Sequence, residues 1–338
     1  MLHALEETLD KIQVPRQLGK KPLPTAADLG CSCGQNTLVI ADLCGTCRDS
    51  TDRDDTVITV DPEFCFYFSD LPSNDFNTLF HLLPDNDDSS GVGGGRSYFA
   101  AAVPGSFHGR LFPERSINLF TSTFSLHWLS QVPEEVADKQ SVAYNKGKVF
   151  VHDASVAMGE TYRRRFQSDI ARFLRCRATE LKHGGVVFLI CLGRPSSYDS
   201  TKTKALLYGA MFEESWRDLI KEGMVDGKKM DSFNVPVYAA TIEEFRDIID
   251  VDGSFRINRL ELVMGSPPVV NNPKDRHAIG LTVAKYLRSL LGPLVVAHVG
   301  RALADELFIR VQRHAEARAE ALVGEMRFPH IVCSLSLA

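Results

Sequence analysis

The 338-residue chain lacks several features that would each have named a class of function. There is no excess of positive charge: 38 Lys and Arg stand against 43 Asp and Glu, for a formal net charge of -5. A phosphate backbone is not attracted by that balance, and the longest basic run is Arg163-Arg-Arg165, at helical spacing with Tyr162 and Phe166. No nucleic-acid partner is expected. No uninterrupted apolar run reaches membrane-spanning length, and Met1 to Asp10 reads as an acidic amphipathic helix instead of a signal peptide. The expectation is therefore no membrane partner and a cytoplasmic address. The strict G-x-G-x-x-G fingerprint of dinucleotide sites is also missing, because Gly30 and Gly34 are too widely spaced. The glycine-rich stretch 85–95 lacks a Gly-Lys-Ser/Thr ending and reads as a surface loop, and internal repeats are absent.

What is present fits a globular chain: 44% hydrophobic residues over this length bury a full core. The eight cysteines include two compact pairs, Cys31/Cys33 and Cys44/Cys47. One zinc would need all four thiolates on bonds of ~2.3 Å. A turn and a helix separate the pairs by roughly 15 Å at ~1.5 Å per residue. The remaining cysteines, Cys65, Cys176, Cys191 and Cys333, read with Cys44 and Cys47 as reduced, mostly buried thiols.

Seven segments carry strand character: 25–30, 64–69, 98–103, 117–122, 186–191, 256–263 and 330–335. Near-continuous apolar runs such as Val186 to Leu192 suit strands covered on both faces, and helical stretches separate most of them. This predicts an α/β fold, a mostly parallel sheet between helical layers, with ligands beyond the carboxyl ends of strands one, two and four. Residues 193–240 are long for a connection and show helical spacing through Leu206, Met211, Trp216 and Ile220, which predicts an insertion capping the sheet edge.

The first strand leads through Asp28-Leu-Gly-Cys-Ser-Cys-Gly-Gln-Asn-Thr37 into a helix over Asn36 to Cys44, an arrangement that cradles a nucleotide-like cofactor or serves as an ordinary strand-to-helix turn. Asp70, after the second strand, stands where an acid accepts hydrogen bonds from ribose hydroxyls; Asp61, after Val57 to Val60, competes for that role. His127 and Trp128 follow the fourth strand and pair a hydrogen-bonding ring with a large aromatic wall, or are satisfied core residues.

Together these blocks resemble the plant SABATH methyltransferases, which move a methyl group from S-adenosylmethionine to small carboxylic acids or heterocyclic nitrogens. The similarity runs in order through Ala27-Asp-Leu-Gly-Cys-Ser-Cys-Gly-Gln-Asn36, Ser69-Asp-Leu-Pro-Ser-Asn-Asp-Phe76, Val103-Pro-Gly-Ser-Phe-His-Gly-Arg-Leu-Phe-Pro113, Ser125-Leu-His-Trp-Leu-Ser-Gln-Val-Pro133, Asn145-Lys-Gly147, Phe173-Leu-Arg-Cys-Arg-Ala178 and Lys229-Met-Asp-Ser-Phe-Asn-Val-Pro236. Phe68 to Phe80, Arg96-Ser-Tyr-Phe99, Gly265 to Asn271 and His330 to Leu337 resemble the branch that methylates the carboxylate of indole-3-acetate, the plant hormone auxin.

The resemblance implies a Rossmann-like seven-stranded sheet with a helical cap, in one domain over 1–338. Cap insertions are expected near 134–165, 194–250 and 266–300. It implies that Cys31, Asn36, Asp70, Leu71, Ser106 and Phe107 contact the cofactor, which favours Asp70 over Asp61. His127 and Trp128 would hold the substrate carboxylate, with Phe124 lining the pocket. Asn145, Asp231, Phe233 and Asn234 match positions associated with a magnesium ion, although Asp231 and Asn234 alone equally suit a structural turn. A homodimer is implied as well. Family members begin with a gate segment that this chain lacks before Met1, so weak activity, or cofactor binding without turnover, stands as an alternative. Salicylate, jasmonate and benzoates are the alternative substrates.

Overall fold

The structure, a computed structural model, describes residues 5, 24–46, 64–84, 96, 98–151, 154–196, 207–265, 272–324 and 328–338. The stretches 57–61 and 85–95, Cys47, Leu206 and nearly all of the expected first helix lie outside the described residues.

Strands β1 (Thr25–Leu29), β2 (Cys65–Asp70), β3 (Phe99–Pro104), β4 (Ile117–Thr123), β5 (Leu181–Leu192), β6 (Phe255–Gly265) and β7 (Phe328–Leu337) form one seven-stranded sheet in the order β3-β2-β1-β4-β5-β7-β6. The expected α/β sheet is thus present. β1 to β5 pair in parallel, and β7 is inserted antiparallel between β5 and β6. The chain leaves β1 toward β2 and β3 on one side and returns to β4 and β5 on the other, so a crevice opens where β1 and β4 end. β5 begins earlier than the apolar run suggests, because Leu181 pairs with Ile117 before a register shift.

All five residues of β1 are buried, as are the first six of β4, which explains their lack of polar/apolar alternation: both faces are covered. On one face lie α1 (Gln35–Thr46) and α2 (Phe76–His81), whose Leu38, Ala41, Cys44 and Leu79 join Phe66, Phe68 and Phe188 in one cluster. On the other lie α3 (Val156–Glu180) and α6 (Ile242–Asp252), α4 (Leu207–Lys221) and α5 (Gly227–Asp231) standing between them in sequence. Ser155 caps α3 by accepting from the Met158 N–H, and buried Met158, Tyr162, Phe166, Ile170, Phe173 and Leu174 recur every three or four residues along it. A reciprocal Thr241/Glu244 capping box starts α6.

A further cluster is mostly helical. It joins α4 and α5 to α7 (Arg276–Val299), α8 (Arg301–Ala317) and α9 (Ala319–Gly324) around Phe212, Trp216, Leu287, Leu307 and Phe308. The helix foreseen through Met211, Trp216 and Ile220 is α4. Among the described residues one helix, α7, is by length and composition apolar enough to cross a membrane, although charged residues interrupt its apolar run. Its Ile279, Val283, Leu287, Leu291 and Val295 are nevertheless buried against the other helices.

Candidate active site

The turn after β1 is built on close backbone approach. Gly30 has φ +83°, and a Cβ there would lie 2.2 Å from Ser125 Oγ, so only glycine fits. Its N–H donates to Ser69 O at 2.8 Å, its carbonyl accepts from Ser125 Oγ at 3.0 Å, and the Cys31 N–H also donates to Ser69 O at 3.1 Å. The ends of β1, β2 and β4 are thereby joined. Asp28, just before the turn, is buried; it accepts from Thr37 Oγ1 at 2.6 Å and Thr121 Oγ1 at 2.7 Å. Burial pushes its pKa up to about 6 against the pull of those two hydroxyls.

Asp70 ends β2 as a half-buried carboxylate. Oδ2 accepts from the Ser32 N–H at 2.8 Å and Oδ1 from the Leu71 N–H at 2.7 Å. Each oxygen retains acceptor capacity, which suits a pair of ribose hydroxyls. Cys31 is buried beside it with its thiol pushed well up by desolvation, and Asn36 and Leu71 are exposed at the rim. Asp61 lies outside the described residues.

Ser106 and Phe107 sit on the loop after β3. The Gly105 N–H donates to Asp70 O at 2.8 Å, and Phe107 Cε1 lies 3.7 Å from where a Gly30 Cβ would be. The structure thus brings Cys31, Asp70, Leu71, Ser106 and Phe107 to one crevice, with Asn36 on the first turn of the adjoining helix.

The loop is held from beneath by an ion pair that sequence reasoning did not single out. Arg177 and Glu180 are fully buried at the end of α3. Arg177 donates to Glu180 Oε2 at 2.7 Å, to Phe107 O at 2.9 Å and to Gly109 O at 2.8 Å. Glu180 Oε1 accepts the Leu111 and Phe112 N–H groups at 2.6 and 3.0 Å. Nearly every polar group of the pair is satisfied, the condition under which a buried ion pair is tolerated.

The substrate half follows β4. Phe124 adopts a left-handed conformation, φ 59°, and its ring is 41% exposed. His127 is buried, and its Nδ1 accepts the Leu192 N–H at 3.3 Å. That bond places the proton of the neutral ring on Nε2. Burial, reinforced by nearby His330, pushes the pKa of His127 down to about 3, so near neutral pH the ring is an uncharged donor. Trp128 is tied down on both sides: it forms an antiparallel bridge with Val237, and its carbonyl accepts from His108 Nε2 at 3.2 Å. Neither Nε2 of His127 nor the indole N–H of Trp128 is used in a hydrogen bond among the described residues. Buried Asp169 accepts from both N–H and Oγ of Ser130 at 2.8 Å and steadies the far end of the loop.

The four expected magnesium positions also come together, but as a clasp. Asn145 Nδ2 donates to Asn234 Oδ1 at 2.8 Å, and the Gly147 N–H donates to Asp231 Oδ1 at 2.8 Å. Phe233 is buried against Trp216. A magnesium ion wants a near-octahedral shell of oxygens. This set offers one carboxylate, and two of its oxygens already accept hydrogen bonds, so the donors fit that ion poorly. No group of three or more His, Cys, Asp or Glu residues poised for a metal occurs among the described residues.

Comparison with known proteins fits this geometry. The model of the SAM dependent carboxyl methyltransferase family matches residues 1–338. The chain belongs to that family. Its cofactor is S-adenosylmethionine and its activity is O-methyl transfer to a carboxylate. Similar family members include indole-3-acetate O-methyltransferase 1 of Oryza sativa subsp. japonica, 51% identical over 357 residues, covering 100% of this chain and 86% of the relative. The indole-3-acetate O-methyltransferase 1 of Arabidopsis thaliana is 47% identical over 344 residues, covering 99% and 88%. A solved structure, loganic acid methyltransferase with SAH, superposes with a TM-score of 0.85 at 29% identity over 99% of this chain and 92% of that one. The seven-stranded methyltransferase fold that the resemblance implied is thus present.

Proposed function

We propose that this carboxyl methyltransferase converts indole-3-acetate to its methyl ester. The observation that carries the reading is the pair of unused donors, His127 Nε2–H and the Trp128 indole N–H, on the loop that Ser125 fastens to the cofactor turn. Bound S-adenosylmethionine supplies an electrophilic sulfonium methyl group. Asp70 would hold its ribose, with Cys31, Asn36, Leu71, Ser106 and Phe107 around it. The substrate needs no general base, because a carboxylic acid with a pKa of ~4–5 is ionised at neutral pH. The task left to the chain is positioning, which is worth ~7–11 kcal/mol in well-oriented intramolecular reactions. His127 and Trp128 would present two N–H donors to the carboxylate, while Phe124 and the helical cluster over the sheet exclude water. His127 cannot act as a base here, since its Nδ1 is engaged and its Nε2 already carries the proton.

The likeness in name of two relatives near half identity supports indole-3-acetate over other small acids. We propose further that the helices of 194–250 and 272–300 cap the pocket, and that the Asn145/Asp231/Asn234 clasp holds that cap without magnesium. The test is methyl transfer from labelled S-adenosylmethionine to indole-3-acetate, salicylate and jasmonate. Preferred use of indole-3-acetate is expected; preference for either of the others overturns the substrate.

A further inference from the structure

His330 enters the site above only as a neighbour of His127, yet it stands inside it. It is the third residue of β7, opposite Leu192 of β5 and Val263 of β6, at the sheet edge where the parallel strands end. Leu192 is the residue whose N–H fixes the His127 ring. The two imidazoles are close enough that charge on one disfavours charge on the other. The Phe124 ring meets His330 edge-on, with centroids 4.8 Å apart at 80°. Behind it, a Cβ on Gly265 would fall 2.4 Å from His330 Cε1, so the ring is wedged between a glycine and an aromatic wall. Burial lowers its pKa, which keeps the ring neutral and one nitrogen open as an acceptor. Neither ring nitrogen makes a hydrogen bond among the described residues.

A half-buried acceptor without a partner among the described residues, in a crevice that receives a ligand, calls for a donor from that ligand. An ionised carboxylate has none. The donor must belong to the rest of the substrate, and a flat ring carrying its own N–H suits an imidazole that lies edge-on to Phe124. Salicylate's hydroxyl sits beside its own carboxylate, and jasmonate offers only a ketone acceptor on its ring. We infer that His330 is a specificity-determining residue, accepting a hydrogen bond from the ring N–H of an indole-type acid whose carboxylate is held by His127 and Trp128. The inference rests on the indole-3-acetate reading and adds the group that recognises the heterocycle.

The test compares kcat/KM for indole-3-acetate and benzofuran-3-acetate, which has the same outline with oxygen in place of N–H, at saturating S-adenosylmethionine. The unaltered chain is expected to favour the indole acid on the order of ten-fold, the discrimination one neutral hydrogen bond provides. His330→Phe should bring the indole acid down to the benzofuran value and leave the latter unchanged, while His330→Asn, which keeps an acceptor, should retain part of the preference. A ratio near one in the unaltered chain, or an equal fall for both acids in His330→Phe, overturns the inference and leaves the substrate reading standing. Methylation of neither acid alongside turnover of salicylate or jasmonate overturns both. If His330→Phe does not fold, the ratio in the unaltered chain decides.

Discussion

The turn after β1 and the loop after β4 lie side by side at one sheet edge, and each buries a titratable group with opposite results. Burial raises Asp28 to about 6 and lowers His127 to about 3. The cause is shared, since low polarity disfavours whichever form is charged. The difference lies in what each group does with its hydrogen bonds. Asp28 spends its oxygens on Thr37 and Thr121, and Asp70 offers each of its own to a backbone N–H. On the cofactor side the frame is closed before any ligand arrives. On the substrate side His127 accepts one bond and keeps its Nε2–H uncommitted. A closed frame fixes geometry, while open donors await the group that reacts.

The contrast is broken most severely at Arg177. Arg177→Met leaves buried Glu180 with only its longer contact to half-exposed Arg110, at 3.6 Å, and frees the Phe107 and Gly109 carbonyls. A loss of about 3–5 kcal/mol in stability is expected. Thermal unfolding measures it, and calorimetry with S-adenosylhomocysteine should show cofactor affinity falling further than affinity for the acid; a folded variant with full cofactor affinity contradicts the clamp. Next in size is Asp70→Asn, which should weaken S-adenosylhomocysteine binding by roughly 2 kcal/mol, the worth of a charged hydrogen bond. Fluorescence titration would read it, and unchanged binding would remove Asp70 from the cofactor site.

Asp28→Asn sharpens the electrostatic side. The folded state raises Asp28 from 3.8 to about 6, so its contribution to stability is present in full below pH 3.8 and is lost as pH rises through 6. The native chain should therefore lose ground relative to the variant by about 1.4 kcal/mol per pH unit within that window. For His127 the sign reverses: its folded value lies below 6.5, so its contribution is present above pH 6.5 and is lost as pH falls toward 3. Denaturation midpoints of Asp28→Asn and the native chain across pH 4 to 7 test this, and a constant gap would refute it. The smallest effect is expected from chelation: EDTA should leave turnover unchanged, because the Asn145 to Asn234 clasp closes through its own hydrogen bonds. A chelator-sensitive rate restored by magnesium would reopen the metal role.

Much of the fold was legible because apolar runs and glycine turns are local signals. All seven strands fall where Thr25 to Gly30, Val186 to Cys191 and their counterparts place them. The clamp was not legible, since Arg177 meets Phe107 and Gly109 across 70 and 68 positions and helical spacing says nothing about such pairs. The Phe173 to Ala178 block marked the segment without revealing its task. His108 and Asp169 were missed for the same reason: each acts on the Trp128 loop from a distant part of the chain. Asp70 was placed at the crevice by its position after the second strand, whereas the bracing role of Asp28 depends on contacts with Thr37 and Thr121 that only the fold brings together. The membrane-length character of α7 escaped because Arg288, Lys285 and His277 interrupt its apolar run.

The central claim is that His127 holds the substrate carboxylate as a neutral donor and leaves the cofactor frame alone. The decisive measurement pairs kcat/KM for indole-3-acetate with S-adenosylhomocysteine affinity in His127→Ala. The account predicts turnover reduced by on the order of a hundred-fold, as for loss of a positioned donor, with cofactor affinity kept within about two-fold; equal losses in both, or full turnover, would contradict it.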